Sequence, residues 1–290
     1  MPWQDRVIEW FLFFAGVSSV AITLGIAGTL IFESIVFFQH VSIVDFFTDP
    51  MWTPLFADPH FGILPLIAGT MITTGVALAI ALPLGTVIAI YLSEFAPAQL
   101  REVIKPILEL LSAVPTVVYG YFALMFVSPL VQKVVPGVPA FNMLSAGIVM
   151  GIMIVPYVSS LSEDAMRSVP MLLREGAYAL GANRLITALK VVYPAAISGI
   201  ASAYILGISR AIGETMIVTI AAGMQPNLTW DPREPAATIT AFIVQVSLGD
   251  LAHGTIGYQS IFAAGLMLFL MTLSINVFGY WMRKRFRESY

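Results

Sequence analysis

Arg210 and Glu214 stand four residues apart inside a long apolar stretch, with a hydroxyl at Thr215 beside them. Burying an ionised side chain at the centre of a membrane helix costs roughly 2.5 to 3.5 kcal/mol on translocon scales, so such residues persist only when paired or wet. On one continuous helix the i, i+4 spacing sets them about 40 degrees apart, on one face. Ala195, Gly199, Ala203, Gly207 and Ala211 sweep the same side, and small residues at four-residue intervals mark contact between helices. The pair is therefore expected to face the interior of a bundle. Two chemistries fit: a structural ion pair, or a guanidinium fork presented to an oxyanion in a polar pathway. Thr116, directly after Pro115, could add a second pathway hydroxyl, or bond to its own helix.

Other chemistry is hard to find. The chain has no cysteine, and so no thiolate nucleophile or thiolate metal site. No G-x-x-x-x-G-K-[ST] loop, H-E-x-x-H or G-x-S-x-G motif occurs. The three histidines, His40, His60 and His253, all fall in expected outer loops. Nothing converges as an acid, base, nucleophile or metal set, so the chain is read as a non-enzyme needing neither cofactor nor metal. Any uphill work must draw on a partner or on an ion gradient.

The elements that must position Arg210 and Glu214 are membrane helices. Apolar residues make up 58% of the chain and charged ones only 11%, with a mean hydropathy of +0.88. A soluble domain could not carry that composition without large exposed apolar patches. Six spans are expected, at about 10–36, 64–92, 107–131, 140–161, 194–222 and 258–282, with Pro83, Pro115 and Pro156 kinking spans two, three and four. Stretch 236–248 is too short to cross and reads as a buried or re-entrant helix on the outer face. The first apolar run is too long for a signal-peptide core and lacks a cleavage site.

Cations set the orientation. Loop 40–61 has no Lys or Arg, whereas Arg101 and Lys105, then Arg167, Arg174, Arg184 and Lys190, then Arg283, Lys284, Arg285 and Arg287 fall on the other side. The positive-inside rule puts both termini and the region around Glu175 in the cytoplasm of a multi-pass protein of the cell (inner or plasma) membrane. Trp3, Trp10 and Trp281 are placed at the inner interface, Trp52 and Trp230 in outer loops.

Between spans four and five lies a polar hairpin. Ser168-Val169-Pro170 starts a helix over 171–180 with Leu172, Leu173, Ala177 and Leu180 on an apolar face; Gly181 and Asn183 stop it, and a second helix runs from about Leu185 to Pro194. Spacing alone fits either a docking surface or an ordinary interfacial helix.

The hairpin resembles the signature loop of permease subunits of binding-protein-dependent ABC importers, E-A-A, three residues, G, nine residues, I-x-L-P. Here it stands as Glu175-Gly176-Ala177, Gly181, Val191 and Tyr193-Pro194, every spacing kept, with Gly for Ala, Val for Ile and Tyr for Leu. The resemblance covers about residues 62–285. It implies an all-α integral membrane protein of the type I importer permease fold, with six transmembrane helices and a cytoplasmic coupling helix at 170–183 between helices four and five. Residues 1–61 would form an N-terminal helix and outer loop, and 62–290 the permease core. Glu175, Gly176, Ala177, Gly181, Val191 and Pro194 would seat in a groove of a separate ATPase subunit.

Finer motifs, Phe61-Gly62-Ile63-Leu64-Pro65-Leu66, Ala113-Val114-Pro115-Thr116-Val117-Val118-Tyr119-Gly120 and Ser209-Arg210-Ala211-Ile212-Gly213-Glu214-Thr215-Met216, resemble the PstC-type phosphate permeases. The partners implied are a PstA-like sister permease, two PstB-like ATP-binding subunits, a PstS-like external phosphate-binding protein and the membrane, with no nucleic acid. Arg210 would then grip phosphate oxygens, and Glu214 would hold Arg210 in the empty state and accept the proton of hydrogenphosphate. Permeases for sulfate, molybdate or phosphonate, and an ion-coupled secondary transporter, are the alternatives.

Overall fold

The structure, a computed structural model, describes residues 3–249, 251–252 and 254–285. His253 and Arg287 lie outside the described residues. Among the described residues five helices are long and apolar enough to cross a membrane, and a bent pair would make a sixth.

Helix α1 (Trp3–Phe38) packs along the last helix, and a short helix α2 (Ile43–Thr48) follows, capped by the Ser42 hydroxyl. Helix α3 (Leu64–Ile90) runs through Pro83 and widens into a π turn at Tyr91–Phe95. At 1.5 Å per residue its 27 residues span about 40 Å, so its two ends define opposite ends of the bundle.

The third expected span is displaced. Residues 98–113 form a separate amphipathic helix, α4 (Ala98–Ala113), and the apolar crossing begins only at Thr116. A residue before proline is pushed out of the helical region: Val114 sits at ψ 130° and Pro115 at ψ 133°. Pro115 therefore breaks the chain rather than kinking a helix. The crossing is α5 (Thr116–Phe122), a π turn, and α6 (Ser128–Val134).

Helix α7 (Met143–Arg167), capped by Asn142 and running through Pro156, is the central post. It lies tightly against α3: a Cβ on Gly151 would fall 2.8 Å from the Ala77 carbonyl oxygen, a contact that only glycine permits. The polar hairpin follows as α8 (Met171–Ala179), then α9 (Arg184–Thr187), a π turn, and α10 (Tyr193–Ala195).

The fifth span differs most from expectation. The hairpin's second helix bends by 73° at Ala196 into α11 (Ile197–Ile212), and α11 ends where the sequence promised continuity. Three residues, 213–215, separate it from α12 (Met216–Ala221). Thr240, at the start of α13 (Ile239–Ser247), donates to the carbonyl of Glu214 at 2.7 Å, satisfying a group freed by the break. Helix α13 is buried among α3, α12 and α14 (Ile256–Arg285), as expected for stretch 236–248.

The small-residue stripe does mark helix contact. Ala203 and Ala211 are buried, Gly207 faces Val158 and Ile154, and Gly199 faces Ala165. A central core joins Met150, Met153, Ile154 and Val158 of α7 to Ala77, Ala81 and Ile217. An aromatic cluster of Phe37, Phe46, Trp52, Phe61 and Phe242 fills one end, so Trp52 is core rather than an interfacial anchor. At the other end Ala89, Met166, Val169, Val192, Ala196 and Ile200 form an apolar floor under the hairpin.

Candidate functional site: a cavity at Arg210 and a hairpin at Glu175

Arg210 lies in the last turn of α11 and Glu214 beyond its end, so the two do not share a helix face. The Glu214 carboxylate, 7% exposed, turns to the next helix. Its Oε1 accepts the backbone N–H groups of Met216 at 3.1 Å and Ile217 at 3.4 Å, the task of a helix cap. Thr215 bonds the Gly213 carbonyl at 3.2 Å. The expected Arg210 to Glu214 pair is thus replaced by a capped break: the helix ends at Ile212, and the carboxylate is engaged by the N–H groups of Met216 and Ile217.

Arg210 stands over the ring of Tyr157, 4.3 Å from its centroid, and its Nε is buried without a hydrogen-bond partner. An unpaired guanidinium nitrogen is costly unless a ligand or water satisfies it. It borders a cavity of about 450 Å³ lined by Glu109 and Ser112 of α4, Tyr157 and Ser160 of α7, and Leu206 of α11. The Ser112 hydroxyl donates to the Glu109 carbonyl at 2.7 Å, which leaves the Arg210 cation on its aromatic face and the Ser160 hydroxyl to meet an oxyanion, with Glu109 on the same wall. Thr116, Glu214 and Thr215 do not line this cavity. The sequence reading missed Glu109, Ser112, Tyr157 and Ser160, since only the fold of α4 onto α7 brings them to Arg210.

The second region is the hairpin. Helix α8 starts after Pro170 and closes with Gly181 at φ +82°: Gly181 N–H donates to the Tyr178 carbonyl at 2.9 Å and Ala182 N–H to that of Ala177 at 3.0 Å. This is a Schellman closure, and the left-handed position requires glycine or a residue like it. Asn183 does not help stop α8; its side chain caps α9 through Ile186 N–H at 2.8 Å. The expected apolar face is split. Leu173 and Ala177 turn inward, whereas Leu172 is 77% and Leu180 91% exposed. Glu175, Gly176, Gly181 and Pro194 are exposed, and Val191 is half-buried. A Cβ at Gly176 would meet nothing, so the departure from alanine there costs the chain no packing.

Beneath the exposed surface Arg174 is buried, which its count among the loop cations concealed. Its guanidinium donates to Glu94 Oε1 at 2.9 Å, to the Met166 carbonyl at 2.9 Å and to the Val169 carbonyl at 2.6 Å. Glu94, 5% exposed, belongs to the π turn that ends α3, and Arg184 of α9 covers the neighbouring Phe95 ring at 5.4 Å. Removing one member of such a buried pair costs roughly 3 to 5 kcal/mol, because the other charge is left unpaired.

Nearby, Lys105 of α4 pairs with Glu163 at 2.8 Å and Asp164 at 2.5 Å on α7. Burial works against the Lys105 charge, but the hydrogen bonds to Asp164 and Glu163 outweigh it and raise its pKa. At the opposite end His60 bonds Asp49 at 2.8 Å, and that contact raises its pKa, aided by Asp58.

Residues 81–288 match the family described as binding-protein-dependent transport system inner membrane component. The chain is 37% identical over 257 residues to a probable ABC transporter permease protein, YqgH, of Bacillus subtilis, covering 88% of this chain and 82% of that one. It is 34% identical to the phosphate transport system permease protein PstC of Mesorhizobium japonicum, covering 83% and 78%. A chain from the crystal structure of a bacterial ABC transporter involved in import of the polysaccharide alginate shares its fold, with a TM-score of 0.68 over 99% of both chains at 17% identity.

Proposed function

The chain belongs to the family of binding-protein-dependent transport system inner membrane components, and from that premise we propose that it is the permease subunit of an ATP-driven importer bringing inorganic phosphate into the cytoplasm. The observation that carries the substrate is its 30 to 34% identity, over most of its length, to permeases named for phosphate transport. The Arg210 cavity supports the same reading, since a guanidinium with an unpaired Nε beside the Ser160 hydroxyl matches an oxyanion.

In this reading both termini and the hairpin face the cytoplasm. Helix α8 is the coupling helix, seated in an ATPase subunit through Glu175, Gly176 and the exposed Leu172 and Leu180, while Gly181, Val191 and Pro194 set the hairpin's shape. A homologous PstA-like sister would complete the pathway, two PstB-like subunits would hydrolyse ATP, and a PstS-like protein would deliver phosphate at the Asp49 end. Residues 1–61 serve as an accessory helix and loop, 62–290 as the permease core.

The chemistry of transport is binding and release without covalent change. ATP-driven approach of the two hairpins shifts the bundle between inward- and outward-open states, and the energy available equals the difference in partner affinity for those states. Arg210 ligates the anion in passage. Glu214 and Thr215 act from beside the pathway, holding the break in the fifth span, and Thr116 starts the third crossing.

The test is copurification. In detergent the tagged chain should bring down an ATP-binding subunit and a second permease, and a cysteine at the exposed Leu180 position should crosslink to the ATPase. A chain that purifies alone and carries anion under an ion gradient would contradict this reading.

A further inference from the structure

Two side chains from the hairpin converge on one short segment at the end of α3. Arg174 reaches Glu94 and Arg184 covers Phe95, and both targets belong to the Tyr91–Phe95 π turn. The convergence is not local, since Arg174 and Glu94 are 80 residues apart in the chain. Arg174 also holds the carbonyls of Met166 and Val169, where α7 ends, so one guanidinium ties α3, α7 and α8 together.

We propose that the buried Glu94–Arg174 pair is the rigid tie through which displacement of α8 is carried to α3. This rests on the reading of α8 as the ATPase-docking helix. Three features make the tie directional. The pair is buried and held by four hydrogen bonds from Arg174, one of them a long contact of Nε to Glu94 Oε2 at 3.4 Å, so it resists shear. Besides the Arg184 contact with Phe95, the hairpin rests on the apolar floor around Met166, Val169 and Ile200, which is non-directional and can slide. Helix α3 is in turn locked to α7 by close glycine contacts, and to α11 by the hydrogen bond between Thr86 and Tyr204. Motion delivered at Glu94 therefore reaches α7 and α11, which carry Tyr157, Ser160 and Arg210 around the cavity. Glu94 and Arg174 are positioning residues and touch neither ATP nor anion.

The experiment uses the whole importer in proteoliposomes, with radiolabelled inorganic phosphate uptake and ATP hydrolysis measured together. Glu94→Gln and Arg174→Gln are expected to keep the ATPase bound and to hydrolyse ATP within about twofold of wild type. They should move at least ~10-fold less phosphate per ATP. Arg174→Lys, which keeps a cation against Glu94 and can still donate to a carbonyl, should recover several-fold of that loss. An unchanged ratio in Glu94→Gln and Arg174→Gln, or an Arg174→Lys variant no better than Arg174→Gln, would overturn the proposal. If the single variants do not assemble, Glu94→Asp carries the test: it keeps the charge opposite Arg174 but shortens the side chain by one methylene, and a wild-type ratio there overturns the tie.

A cysteine at Leu161, on the cavity rim, gives a readout independent of the anion. Its labelling rate should differ between nucleotide-free and ADP–vanadate-trapped complex, and the difference should vanish in Glu94→Gln. If wild type moves no phosphate yet shows this behaviour, the substrate reading fails and the tie stands. Normal phosphate uptake with the response kept in Glu94→Gln overturns the tie alone.

Discussion

Replacing Arg210 separates a pathway cation from a structural one. Its Nε is buried and unpaired, its guanidinium rests on Tyr157, and the residue lines the cavity together with Ser160 and Glu109. A charge-assisted hydrogen bond contributes about 1.5 to 3 kcal/mol, and a fork gripping two phosphate oxygens makes two. Arg210→Ala should then cost at least ~3 kcal/mol of anion stabilisation, or roughly 100-fold at 1.36 kcal/mol per tenfold. Arg210→Lys keeps the charge but offers no planar fork, and should lose about 10-fold. The assay is the initial rate of phosphate uptake at subsaturating phosphate in proteoliposomes holding the full importer, with copurified ATPase as the control for assembly. Uptake by Arg210→Ala within about threefold of wild type, in an assembled complex, would refute the pathway role. So would equal losses for Ala and Lys.

Other perturbations have different expected signs. Glu214→Gln keeps an oxygen for the Met216 and Ile217 N–H groups and should leave uptake within about threefold, while Glu214→Ala loses a cap worth about 1 kcal/mol and should lower thermal stability in a melting assay. A large uptake loss in Glu214→Gln at normal stability would restore the carboxylate to the pathway. Leu180→Glu alters a side chain exposed on the hairpin and should weaken ATPase copurification about 10-fold or more without changing the melting temperature of the isolated permease, given ~1.5 to 3 kcal/mol for a leucine buried at a docking face. His60 has a pKa raised in the fold, so its stabilising contact with Asp49 is fully present below about pH 6.5 and fades as pH rises through the elevated value. Protection of the amides in residues 49–62, taken relative to the intrinsic exchange rate at each pH, should fall as pH rises above about 6.5, and His60→Gln should abolish that fall.

Much of this molecule is written in its hydropathy. The spans at α1, α3, α7 and α14, the buried stretch 236–248, and the hairpin with Gly181 at its left-handed turn all follow from run length and turn chemistry. Hydropathy starts the third span too early because residues 107–113 of an amphipathic helix extend the apolar run. The Val114-Pro115 pair held the signal for the true boundary. The break after Ile212 was not legible, since Gly213 alone is a weak stop and the group that satisfies the freed Glu214 carbonyl, Thr240, comes from 26 residues away. For the same reason composition placed Arg174 among the solvated loop cations, while the fold buries it on Glu94. Cavity residues Ser112, Tyr157 and Ser160 carry no motif and meet Arg210 only through tertiary packing.

The most direct measurement is ATP-dependent uptake into proteoliposomes containing this chain, its sister permease, the ATPase and the external binding protein. Radiolabelled phosphate should accumulate only with ATP inside reach of the ATPase, unaffected by collapse of ion gradients, and sulfate or molybdate should not compete at equal concentration. Accumulation driven by an ion gradient without ATP, or sulfate carried as well as phosphate, would contradict the assignment.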